Sequence, residues 1–270
     1  MAAREDSKSP PENRKALFAR LASHPVPRIS RMMKIARARG LEPVFVGGLR
    51  ERGLPRTDSW DDFDVIRVGP HHATLNGRSL ARYLFGTLAF NLALVRTIRA
   101  VRPALVHISD FESALLTIPL CRMLRVPVIY NVHDNIGDRY ALPKFPRRLL
   151  AALEGMFVLL SNAALVPEDF RRAALPRWSR SRVTVVRNAP EDAWPDGPPA
   201  PPDVVGTLRI VYAGWIDDGR GIRTLIRLGE DRPNLDVRIA GSGDRALVDE
   251  IKQSEGVSYL EYLDLSLIHI

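Results

Sequence analysis

The chain has 270 residues, 46% of them apolar and 26% charged, with a net charge of +8 and a pI of about 10.0. This length supports one large domain or two ordinary ones and excludes a small stapled module, and the composition fits neither a wholly disordered chain nor a polytopic membrane protein. Cys121 is the only cysteine, so an intrachain disulfide and a cysteine-cluster metal site are both excluded, and a reducing cytoplasm is the expected compartment.

Residues 1–14 are polar, contain Pro10 and Pro11, lack the apolar run of a secretory leader and read as a disordered tail. A strand is predicted over 16–21, then a turn through Ser23, His24, Pro25 and Pro27, then a helix over 28–39 ending at Gly40. Strands follow at 43–46 and 64–68. The acidic residues Asp58, Asp61, Asp62 and Asp64 read as a solvated loop rather than a cation site, and His71 and His72 as loop residues. A long helix is predicted over 79–101; its apolar centre, 84–95, is too short to span a bilayer of roughly 30 Å and reads as a core helix.

Pro103 marks the turn into a strand over 104–108, and 111–124 has the helical period throughout. A β-branched strand over 126–132 ends at the polar group His133, Asp134, Asn135. A helix over 145–153 leads to a strand at either 157–160 or 164–166, and another strand covers 183–186. Alternating strands and helices of this kind predict an α/β fold with a parallel sheet, so residues 15–188 read as one Rossmann-like domain.

Six prolines between Pro190 and Pro202 exclude helix and central strand, and 189–207 reads as a linker. A second α/β domain over 208–264 begins with a strand at 208–213, a turn holding Gly214, Gly219 and Gly221, a helix through Leu228, a strand at 235–240 and the triplet Gly241, Ser242, Gly243. Only three strands are predicted, the last near 257–260, so this domain is expected to be incomplete and to leave apolar faces uncovered. Residues 265–270 resemble an adapter-encoded peptide and are expected to be an artefactual tail.

Glycine turns between a strand and a helix allow backbone N–H groups to approach a phosphate closely. Two qualify: 214–221, where Arg220 stands beside the helix entry, and 241–246. Only five of the 39 basic residues are lysine, and arginine forks suit phosphates, so nucleotides and lipid head groups are favoured partners. A basic stripe interleaved with aromatic rings is missing, and nucleic acid is not expected. Arg147, Arg148, Arg171 and Arg172 read either as a surface for anionic lipid or as a solvated basic face.

Together these elements resemble a two-lobed, GT-B type glycosyltransferase of family 4. The resemblance rests on Pro27-Arg28-Ile29 with the helix to Gly40, on Val132-His133-Asp134, on the run 183–188, on Ile210 to Gly214 with Arg220-Gly221, and on Arg238 to Gly243. Trp215 and Ala189 depart from the family pattern, which has arginine and glycine there. The resemblance implies an acceptor-binding first lobe, a nucleotide-sugar-binding second lobe and reaction in the cleft between them. It implies transfer of a sugar to a polysaccharide or lipid-linked acceptor with retention, and no cofactor or metal is expected. The lone cysteine and the arginine runs separately give the expectation of a cytoplasmic location, with peripheral contact at the inner face of the plasma membrane as one reading of those arginines.

By the same resemblance His133 is catalytic with Asp134 orienting it, and Gly214, Arg220, Gly221, Gly241, Ser242 and Gly243 bind the donor, while Ser23, His24 and Arg28 lie on the acceptor side. The family's paired-glutamate element would fall beyond residue 270, so these 270 residues alone are expected to be inactive. Two other readings stand beside this one: a nucleotide-sugar epimerase of the same fold, and a non-enzymatic basic module that binds membrane or nucleic acid.

Overall fold

The computed structural model describes residues 14–71, 80–134, 143–189 and 206–261. The expectations for the tail, His72, Asn135, the proline-rich stretch 190–205 and the last residues, 262–270, lie outside these. The chain divides into two units, Met1–Glu191 and Asp192–Ile270.

In the first unit, β1 (Lys15–Arg20) leads through the turn at Ser23 into α1 (Pro27–Ala38) and on to β2 (Glu42–Leu49). Next come β3 (Thr57–Trp60), β4 (Phe63–His71), α2 (Leu80–Val101) and β5 (Leu105–Ser109). The chain continues through α3 (Phe111–Ala114), α4 (Thr117–Met123), β6 (Val128–Asn131) and α5 (Lys144–Leu160). It ends with β7 (Ala163–Val166), α6 (Asp169–Ala174) and β8 (Val183–Val185). One eight-stranded sheet results, in the order β3-β4-β2-β1-β5-β6-β7-β8, parallel except for β3.

Strand alternation assigns the two faces. Ala16 and Phe18 of β1 pack with Ile29, Met33 and Ala36 of α1 on one side. Leu17 and Ala19 pack on the other with Phe90, Leu94 and Ile98 of α2, Ile118 and Cys121 of α4, and Phe157 and Val158 of α5. Both faces of β1 are therefore dry, which is why it reads as an unbroken apolar run.

Two local outcomes differ from the sequence expectation, and one open alternative is resolved. The acidic loop is a hairpin: β3 pairs antiparallel with β4, turning on Asp61 and Asp62 at φ of 50° and 62°, and Asp58 of β3 meets Arg67 at 3.1 Å. The helix over 111–124 is two helices: Pro119 has no N–H to donate to the Leu115 carbonyl, and buried Asn91 replaces the bond that would join the Leu116 N–H to the Glu112 carbonyl, its own Nδ2 donating to that carbonyl at 2.7 Å. Asn91 Oδ1 accepts from the Leu116 N–H and the Thr117 hydroxyl, each at 3.1 Å. Of the two strand positions left open after residue 153, the later one is occupied, since 157–160 completes α5.

The second unit is a three-stranded parallel sheet, β11-β10-β9. It comprises β9 (Leu208–Ala213), α7 (Ile222–Asp231), β10 (Leu235–Ala240), α8 (Arg245–Gln253) and β11 (Val257–Tyr259). Ile222 and Ile226 of α7 and Leu247 and Ile251 of α8 pack with Val237 and Ile239 of β10. Val211 on β9 stays exposed.

Candidate active site

The sheet order reverses direction at β1: α1 leaves β1 toward one face, and α3 leaves β5 toward the other. Such a switch point opens a crevice at the carboxyl ends of the two strands. Arg20 closes β1, and its Nε donates to Asp110 Oδ2 at 2.7 Å across the seam. Asp110 takes a φ of 68°, unusual for a residue with a side chain, and its N–H donates to the Asn131 carbonyl at 3.2 Å. The Leu21 N–H donates to Ser113 Oγ at 2.9 Å. A cavity of about 150 Å³ lies between Arg20, Val26, Arg50, Asp110 and Glu112.

Two residues beyond β6, His133 stands at the same edge, with Nε2 3.2 Å from Asn131 Nδ2. Burial pushes its pKa down to about 3; Arg20, Arg28 and Arg171 lower it further, and Asp134 acts in the opposite direction. The imidazole is therefore neutral at physiological pH, able to donate or accept a hydrogen bond but too weak a base to hold a proton. With Asn131 Nδ2 donating into Nε2, its own proton sits on Nδ1.

Arg28 is buried at the second position of α1, where the helix dipole disfavours a cation. Its guanidinium donates to Asn188 Oδ1 at 3.2 Å and to the Val186 carbonyl at 3.1 Å. Burial, then the charges of Arg31 and Arg171, lower its pKa. Arg28 Nε, Ser109 Oγ, Asp110 Oδ1, Asn131 Oδ1 and Arg171 Nε are all buried without a hydrogen-bond partner in the protein. Each such atom costs about 1–3 kcal/mol, so their gathering at one sheet edge fits a surface completed by a polar ligand that both donates, to Asp110 Oδ1 and Asn131 Oδ1, and accepts, from the two guanidinium Nε groups.

The remaining first-unit candidates are placed differently. Ser23 Oγ accepts from the Arg50 N–H at 3.2 Å, and its carbonyl accepts from Arg67 Nε at 2.8 Å, so Ser23 ties the first turn to the hairpin. His24 packs on Trp60, with ring centroids 4.6 Å apart, and lies 3.9 Å from Glu51. Asp134, expected to orient His133, instead accepts from Arg171 at 2.6 Å; Asn131 is the group against the imidazole.

In the second unit the glycine turns pack on one another. A Cβ at Gly241, whose φ is 142°, would stand 1.8 Å from the Gly214 carbonyl oxygen, and one at Gly243 would stand 2.0 Å from that of Ile216. The N–H groups of Gly214, Ile216, Gly241 and Asp244 all bond within the protein. Asp244 caps α8, accepting from the Ala246 and Leu247 N–H groups, so a carboxylate already occupies that helix start. Gly221 holds φ of 75° at the entry to α7. Arg220 beside it is exposed, 3.7 Å from Asp217, and Ser242 and Trp215 are exposed as well.

The structure thus brings His133 and Arg28 to one edge with Arg20, Asp110, Asn131 and Arg171, none of which the sequence singled out as site residues. Asn131 carried the only local signal, as the polar last residue of a β-branched strand. Arg171 lies in a run of arginines in which no one member stands out.

The glycosyl transferase 4-like domain model matches residues 25–189. Glycogen synthase from Mycobacterium tuberculosis is 25% identical over 230 residues, which cover 74% of this chain and 54% of that protein. The chain therefore spans about half the length of the curated relatives it matches. Among solved structures, sucrose-phosphate synthase from Thermosynechococcus elongatus superposes with a TM-score of 0.68 at 13% identity, covering 93% of this chain and 71% of that one. Anabaena HepE, solved with UDP and glucose, superposes with a TM-score of 0.63 at 14% identity, covering 93% and 70%. These structures share the fold, the Rossmann-like α/β architecture of GT-B glycosyltransferases.

Proposed function

Because the chain belongs to the glycosyltransferase 4-like family, we propose that it serves transfer of a sugar from a nucleotide-sugar donor to a polysaccharide or lipid-linked acceptor, with retention of configuration. The observation that carries this reading is the neutral His133 set among buried, incompletely bonded polar groups at the carboxyl ends of β5 and β6, beside the β1–β5 switch point. The glycosyl carbon exchanges its bond to a diphosphate oxygen for one to the acceptor hydroxyl oxygen, and the hydroxyl proton passes to the departing diphosphate. His133 takes no proton in this scheme; it holds a sugar hydroxyl by hydrogen bonding, as its depressed pKa requires. Arg28 and Arg171 offer guanidinium charge to an anionic group at this edge of the first unit, and the exposed Arg220 offers the same beside the glycine turn of the second unit.

The test is steady-state transfer by the whole protein, with a panel of nucleotide sugars. His133→Ala is expected to lower kcat about 100-fold with the far-UV circular dichroism unchanged, and Arg220→Ala to lower kcat/KM about tenfold or more. Wild-type turnover in both folded variants would refute these assignments.

A further inference from the structure

The helices on one face of the large sheet carry a surface that sugar transfer does not use. On α2, Leu84, Phe85, Leu88 and Leu92 lie on one solvent-facing arc, with Phe85 70% exposed. On α5, Phe145 (81% exposed), Leu149, Met156 and Leu159 recur at helical spacing on the outer side. Between these helices α4 ends on Met123, 76% exposed, followed by exposed Leu124. The three form a continuous layer, α2 packing on α4 and α4 on α5. Scattered exposed apolar residues are ordinary, but an apolar band across three adjacent helices marks an interaction surface.

Charge identifies the partner. Exposed cations border the band: Arg82, Arg96 and Arg99 on α2, Arg122 and Arg125 at the end of α4, Lys144 and Arg148 at the start of α5. The acidic residues of this layer and its connections within 80–132 and 143–161 are Asp110, Glu112 and Glu154, and all three are buried. The outer surface of the described layer therefore carries apolar and positive groups and no exposed carboxylate. A second copy of the chain would oppose cation to cation, and a nucleic acid would leave the aliphatic band without a partner. An anionic bilayer satisfies both, with leucine and phenylalanine in the acyl boundary and arginine at the lipid phosphates. From this we infer that the α2–α4–α5 face docks on an anionic membrane surface, independently of any nucleotide sugar.

The experiment is flotation of the purified chain with vesicles of mixed phosphatidylglycerol and phosphatidylcholine, and with phosphatidylcholine alone, at low and high salt. Binding to the anionic vesicles, weakened by salt, is expected. The double variant Phe85→Ser with Phe145→Ser should reduce the bound fraction about tenfold or more, and Arg96→Glu with Arg148→Glu should do the same. Both pairs are solvent-exposed, and circular dichroism checks that each variant folds. The inference is overturned by absence of binding to anionic vesicles, by equal binding of the folded variants, or by a dimer in light scattering that the phenylalanine variant dissolves. Salt-sensitive retention of RNA without retention of vesicles also overturns it.

Discussion

His107 lies in the middle of β5, fully buried, stacked on Phe18 at 5.1 Å, with neither ring nitrogen hydrogen-bonded. Burial brings its pKa down to about 3, with His133 and Arg28 adding to the effect. An unfolded chain would protonate it near 6.5, so stability is complete above that pH and is lost as the pH falls from 6.5 toward 3. His133 contributes a limb of the same sign. His107→Leu should remove one limb. Urea unfolding at pH 7.5 and pH 5 should show the wild type losing on the order of 1–2 kcal/mol more than the variant, and equal losses would mean that His107 is not held neutral. At this scale the sequence disclosed part of the site. His133 follows a β-branched strand and Arg28 follows a proline turn, both local signals. Arg20, Asp110 and Arg171 gained their places only when three distant strand ends met.

Elements were legible where one period held over a whole segment, as in β1, α1, α2, β9 and β10. They were misread where a single distant side chain decided the outcome. Asn91 supplies the bonds that let α3 and α4 separate. Arg67, fully buried, donates to Asp58, Pro55 and Ser23, holding an acidic stretch as an edge strand. The glycines after β10 show a different ambiguity: the triplet reads as a phosphate loop, yet Gly241 and Gly243 also permit contact with the preceding turn. Gly241→Ala would combine a strained φ with a backbone clash. Calorimetry should show the unfolding of the second unit destabilised by more than about 2 kcal/mol, with that of the first unit unchanged. An unaltered second unit would show that this close approach is not needed.

At the scale of the molecule, parallel pairing on both sides of β1 determines where chemistry can occur. The strand order reverses there, α1 and α3 diverge, and polar groups collect at the opening. Alternating strands and helices announced this α/β architecture, whereas the order of strands follows from packing that no local pattern records. The central claim is that the opening receives an activated sugar and hands it to an acceptor. The direct measurement follows radiolabelled sugar from a panel of nucleotide sugars incubated with the whole protein and a cell-envelope extract. Label moving into a glycan or lipid-linked product, and failing to move with His133→Ala, is the predicted result; label left in the donors, or recovered only as an isomeric nucleotide sugar without acceptor, would contradict it.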